Sequence, residues 1–182
     1  SRIEELLKTV EKLVDEVKKA LRKLLEENKD LARKSKESLE RLLDEVRDLV
    51  RRLEEILDRG DNDERVLREI EKRVKDAKDR VRDNLREVHR LDEESKRRLE
   101  DLLRRVKELA EDVKKKLKDD VDDKDKLERV MRTLDEILKD LERTVERVKR
   151  ALDESNRDLR REHERIKKEL DKILDRLREK AR

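Results

Sequence analysis

Apolar residues recur along this chain at helical intervals in three successive segments. In the first, one column repeats every seven residues: Leu7, Val14, Leu21, Asn28, Ser35, Leu42, Leu49 and Ile56. Ile3, Val10, Val17 and Leu24 flank its early part, and Leu39, Val46 and Leu53 its later part. The second segment carries Leu67, Val74, Val81, Val88, Ser95, Leu103, Ala110 and Leu117. The third carries Leu127, Leu134, Leu141, Val148, Ser155, His163, Leu170 and Leu177. Side chains spaced this way share one face of an α-helix, and charged residues fill the other faces. The pattern predicts helices over about residues 2–58, 63–118 and 123–181.

Two interruptions separate them. Arg59-Gly60-Asp61-Asn62-Asp63 holds the chain's one glycine, which suits the left-handed position past a helix end. Asp61 followed by Glu64 has the spacing of a capping box. Asp119-Asp120-Val121-Asp122-Asp123 has no glycine. Aspartate is nonetheless a favoured N-cap, and its charge suits a helix start.

The seams share one period. Ile3 to Leu53, Leu67 to Leu117 and Leu127 to Leu177 each run fifty residues in seven steps, six of seven residues and one of eight. That is about 3.57 residues per turn, between a supercoiled heptad and a straight helix, so the helices should wrap slightly and left-handed. Each would be about 85 Å long at 1.5 Å per residue. Helices this polar are stabilised by burying their stripes, and short connections set neighbours antiparallel. The expected fold is all-α: one elongated up-down-up three-helix bundle over residues 1–182.

Composition narrows the function classes. Charged residues make up 60% of the chain and the apolar set 32%, with no aromatic residue and no Cys or Pro. Such a mixture with helical spacing reads as coiled coil or long helix. Disorder, the competing reading for charged chains, sits poorly with a net charge of only +3 and a regular apolar pattern. A nucleic-acid partner needs a concentrated basic face. Here the basic runs Lys96–Arg98 and Lys114–Lys116 lie close to Glu94, Glu100, Asp112 and Asp119. No segment approaches the ~20 apolar residues of a membrane span, and no targeting signal is visible. The chain is therefore expected to be soluble, consistent with cytoplasmic recombinant expression, without a nucleic-acid or membrane partner. Lacking Cys, it has no disulfide framework and no thiolate chemistry.

No constellation carries chemistry, so no catalytic, cofactor or metal residue is assigned and the chain is not expected to be an enzyme. The acidic breaks lack the Gly at position six that an EF-hand loop requires. His163-Glu164-Arg165-Ile166-Lys167 has no second His four residues on, so it is not a zincin helix. His89 falls about ten residues from the level of His163, and Ser155 is two helical turns from His163, too far for a nucleophile and its base.

The anomalies are polar residues inside the seams: Asn28, Ser35, Ser38, Asn84, Ser95, Ser155, Asn156 and His163, with Thr144 nearby. Folding the chain back at its breaks sets Ser35 near Arg86 and Asn156, and Ser38 near Asp83 and Leu159. Asn84 then faces this group, with Asn28 and Ser95 at a second level. Buried polar groups must pair or cost roughly 1–3 kcal/mol each. One reading is a buried hydrogen-bond network that fixes register, holding Asn84 and Asn156 with Ser35 or Ser38. The other makes the Ser and Thr residues partly exposed fillers. His163 is expected in the core near Leu42 and Val81, the alternative being that it points outward between Glu162 and Glu164. His89 should lie on the exposed flank.

With its missing residue types, balanced charges, minimal loops and mid-seam polar residues, the whole chain resembles de novo designed helical bundles. These are built on idealised backbones, and some carry buried hydrogen-bond networks. The resemblance implies a structural scaffold, monomeric and hyperstable, and brings no catalytic residues. A second class is an interaction module whose seam accepts a partner helix or a second copy. A third, a pH-responsive switch, would depend on His163.

Overall fold

The computed structural model describes residues 2–60 and 64–180. It contains three α-helices, α1 (Arg2–Asp58), α2 (Glu64–Asp120) and α3 (Lys124–Lys180), each of 57 residues. There is no strand among the described residues. The molecule is a three-helix bundle, as the apolar spacing predicts. Helix α2 runs on to Asp120, two residues past its expected end at 118. Asp61 of the expected capping box lies outside the described residues.

Helix α1 closes on Gly60, whose φ of 87° is the left-handed value that glycine adopts without a Cβ clash. Its amide donates to the Leu57 carbonyl at 3.1 Å. At the second break the cap is a single side chain. Asp123 Oδ1 accepts from the amides of Asp125 at 3.1 Å and Lys126 at 3.5 Å, satisfying two of the amides a helix start leaves open.

Packing divides into two compact units, the division falling between Asn28 and Lys29 in α1, Leu91 and Asp92 in α2, and Asp153 and Glu154 in α3. In the first unit the core is built from Val10, Val14, Val17, Leu21 and Leu24 of α1 with Leu99, Val106 and Leu117 of α2 and Leu134, Leu141 and Val148 of α3. In the second, Leu39, Leu43, Val46 and Val50 of α1 meet Ile70, Val74 and Val81 of α2 and Leu159, Ile166, Leu170 and Leu177 of α3. Core positions alternate steps of three and four, the spacing that keeps one stripe facing the partner helices.

Ion pairs report direction. In the first unit Lys96, Glu100, Lys107 and Lys114 of α2 pair with Asp153, Lys149, Glu142 and Asp135 of α3, at 2.7–3.2 Å. Each advance along α2 is matched by an equal retreat along α3, so the two are antiparallel. In the second unit Glu40, Arg47 and Glu54 of α1 pair in ascending order with Arg165, Glu169 and Arg176 of α3, so these two run parallel.

The apolar column of α1 departs from expectation in the second unit. Leu42, Leu49 and Ile56 are only half-buried, while Leu39, Leu43, Val46 and Val50 are core. The inward positions step from half-buried Ser35 to buried Leu39 and Leu43, two fours in succession, which rotates the stripe round the helix. Leu31, just before this shift, is left 45% exposed.

Replacing Asp123 with Ala should lower stability by about 1 kcal/mol, the ordinary worth of an N-cap. The neighbouring Asp122→Ala should leave the urea midpoint close to wild type, because Asp122 accepts neither amide. Equal effects of the two substitutions would show that Asp123 is not the cap.

Candidate functional site

Three polar residues, His163, Asn84 and Ser35, sit where the apolar stripe would otherwise continue. Along α3, Leu159, His163, Ile166 and Leu170 follow one another at steps of four, three and four, which turns the His163 ring into the core at 1% exposure. On α2, Asn84 lies three residues past buried Val81, and on α1 Ser35 lies four before buried Leu39. All belong to the second unit.

There the three side chains join. Ser35 Oγ donates to Asn84 Oδ1, and His163 Nε2 lies 3.0 Å from the same oxygen. His163 Nδ1 is 2.6 Å from the Leu159 carbonyl one turn earlier. Burial pushes the imidazole below its ordinary pKa, opposed by the Leu159 hydrogen bond and the Glu162 carboxylate. His89, by contrast, is exposed.

Just outside, Arg165 of α3 bridges Glu162 of its own helix and Glu40 of α1. The guanidinium holds the Glu162 carboxyl down to about 2, well below the usual carboxylate range.

The first unit holds a second polar level. Asn28 Nδ2 donates to Ser95 Oγ at 3.0 Å and to the Leu24 carbonyl at 2.9 Å. Ser95 is buried, and so is Asp92, at 5% exposure. Asp92 Oδ2 faces Lys96 at 3.3 Å, while Oδ1 is buried without a hydrogen-bond partner. Lys96 is also paired with Asp153 at 2.8 Å, whose hydrogen bond holds the ammonium pKa up.

The eight candidate residues, placed by the sequence at two levels, therefore divide. Ser35, Asn84 and His163 are brought together, and Asn28 and Ser95 form a pair of their own. Ser38 is exposed: the step from Ser35 to Leu39 passes over it and turns it outward. Asn156 and Ser155 are half-buried, and neither is bonded to Asn84; Asn156 Nδ2 is buried without a partner. Thr144 satisfies its hydroxyl locally, on the Asp140 carbonyl at 2.9 Å. Sequence reasoning missed Asp92. Its signal was its register, three residues before Ser95 and seven before buried Leu99, hidden within the acidic run Asp92-Glu93-Glu94.

The arrangement binds these side chains to one another. Among the described residues no cluster of three or more His, Cys, Asp or Glu could hold a metal ion. Nor is any described helix long and apolar enough to cross a membrane.

Changing Asn84 alone to Leu strands Ser35 and His163 and should cost about 1–3 kcal/mol in chemical denaturation. Replacing all three with apolar residues should be neutral or stabilising, since nothing is left unsatisfied. A stabilising Asn84→Leu would show that the three do not act together.

Stability should also fall with acid in two stages. The unfolded chain protonates His at about pH 6.5 and the folded His163 lower, so its contribution is full above 6.5 and is lost as pH falls through the folded value. The Glu162 contribution is lost next, between 4.5 and about 2. Urea midpoints across this range should show the first stage disappear in His163→Leu and the second shrink in Glu162→Gln. A first stage surviving His163→Leu would exclude His163 as its source.

No protein-family model matches the chain, and no curated protein sequence does. Among solved structures it is similar to one described as a computationally designed three helix bundle, with a TM-score of 0.67 and 20% identity. The match covers 99% of this chain and 87% of that one. At this identity the likeness speaks for the fold.

Proposed function

We propose that the chain is a designed structural scaffold, one helical domain over residues 1–182, without enzymatic activity. The observation that carries this reading is the uniformity of the three helices: 57 residues each, with the same seam period. Evolved chains rarely hold three elements to one length and spacing, whereas a backbone built from idealised geometry does so by construction. The fold shared with a designed bundle supports the same reading. On it, Ser35, Asn84 and His163 set helix register, and no partner or cofactor is needed.

A second reading is an interaction module that accepts a helix or a second copy. It is favoured by a groove of about 370 Å³ in the second unit, where half-buried Leu42 and Leu49 lie beside Val46 and Ala77. Ala77, the smallest core residue of that stretch of α2, lines the groove. Charges of both signs rim it, Glu45, Asp48 and Asp76 with Arg52, Arg73 and Arg80, which selects for no particular partner.

Size-exclusion chromatography with light scattering should give a single-chain mass at all concentrations. Circular dichroism should stay strongly helical to about 90 °C, the threshold for hyperstability. A mass that rises with concentration, or melting below about 60 °C, would move the assignment to the interaction module.

A further inference from the structure

His163 is held at both ring nitrogens, and the two contacts make incompatible demands on a neutral ring. A backbone carbonyl only accepts, so Nδ1, 2.6 Å from Leu159 O, carries a proton. An amide oxygen also only accepts, so Nε2, 3.0 Å from Asn84 Oδ1, carries one as well. Both together describe an imidazolium. A neutral imidazole has one N–H; with that on Nδ1, the Nε2 lone pair would point at the Asn84 oxygen and be repelled.

The amide has another position that removes the conflict. Half a turn about its terminal bond exchanges Oδ1 and Nδ2 while leaving every heavy-atom position almost unchanged, and diffraction itself seldom separates the two. Nδ2 brings two hydrogens. One can be donated to the Nε2 lone pair and the other to Ser35 Oγ, which then accepts where it had donated. The freed Ser35 proton has a ready outlet in the carbonyl four residues earlier, the bond that Thr9, Thr133 and Thr144 all make elsewhere in this chain.

We propose that the Asn84 side-chain amide is a two-position rotor set by the charge on His163. Its oxygen faces the ring when the ring is an imidazolium, and its nitrogen faces the ring when it is neutral. The proton that drives the change comes from solvent and bonds to Nε2; no other covalent bond is made or broken, and the Ser35 hydroxyl reverses with the amide.

The charged groups around the ring leave this task to Asn84. From α3, Glu162 and Lys167 act on His163 with opposite sign. From α1, Glu40 and Lys36 bear on Glu162, with Arg165 joined to both carboxylates. Beside Asn84 on α2, Arg80 shares a groove with Glu45 of α1. The hydrogen-bond partners of the two ring nitrogens are the neutral Leu159 carbonyl and the Asn84 amide, and of these only the amide can exchange acceptor for donor. The rotor goes beyond the scaffold reading and holds whatever the bundle is used for.

Nitrogen-15 NMR of the full chain across the His163 titration tests it. Above the titration the ring should be the Nδ1–H tautomer, with a through-hydrogen-bond coupling between Nε2 and Asn84 Nδ2. Below it both ring nitrogens should be protonated and that coupling should vanish. A neutral ring protonated at Nε2, or an Asn84 signal indifferent to the titration, overturns the proposal. Asn84→Asp supplies an independent arm, because a carboxylate has no donor face to turn. It should raise the proton affinity of His163 about tenfold or more, the effect of an opposite charge at this range. An unchanged His163 titration in that variant overturns it too, and if the variant fails to fold, the wild-type spectra still decide.

Discussion

Burial of a stripe of Leu, Val, Ile and Ala at steps of three and four is the constraint on which everything else in this protein rests. Each helix carries acid and base round most of its circumference, and 60% of the chain is charged. A long helix of that kind has little to hold it except the stripe, each buried CH₂ contributing about 0.8 kcal/mol. With no aromatic residue, the core is filled mostly by Leu, Val and Ile, branched aliphatic side chains of similar size. That favours the repetitive interdigitation of a coiled coil. The ion pairs between helices lie at the rim, where each contributes about 0–1 kcal/mol. They accompany the packing and cannot substitute for it.

Periodicity made most of this legible in the sequence. Of the α3 column, Leu134, Leu141, Val148, His163, Leu170 and Leu177 are all buried, and the imidazole sits where the column placed it. What eluded the pattern was local phase. A seven-residue column drawn through α1 runs through Leu42, Leu49 and Ile56, while the actual stripe keeps the flanking Leu39 and Val46 and fills the column's place with Leu43 and Val50. Two consecutive steps of four suffice for that, and apolar residues on both tracks conceal it. Ser38 and Leu31 face outward because of the same phase change.

The polar partners were less legible for a different reason. Counting back from the loops set Asn84 level with Asn156, and His163 with Val81. The Lys78–Asp171 and Glu71–Arg178 pairs show the two helices offset from that count by seven residues, so Asn84 meets His163 instead. Asp92 was hidden by its type. A carboxylate is among the residues least often buried, so a register placing it beside Ser95 and Leu99 is easily discounted. Its unpartnered oxygen marks a buried polar atom whose cost the surrounding core must offset.

The register role proposed for the polar residues follows from what the other interactions cannot discriminate. A core of Leu and Val is nearly indifferent to a slide of one heptad, because one aliphatic layer replaces another. Rim charges discriminate little more. If α3 slid by seven residues along α2 in the first unit, Lys107 would meet Asp135 and Lys114 would meet Glu128; among these groups only Glu100 and Glu142 would clash. The same slide in the second unit brings His163 opposite Ala77, and a slide the other way brings it opposite Leu91. Neither can bond to Nε2, so both leave a buried ring nitrogen unsatisfied at roughly 1–3 kcal/mol. Asn84, moved the second way, would meet Leu170 and lose its imidazole as well. One satisfied imidazole–amide–hydroxyl set thus separates the native register from its neighbours by more than the rim ion pairs do. It costs the native state little, because there each of the three side chains has a partner.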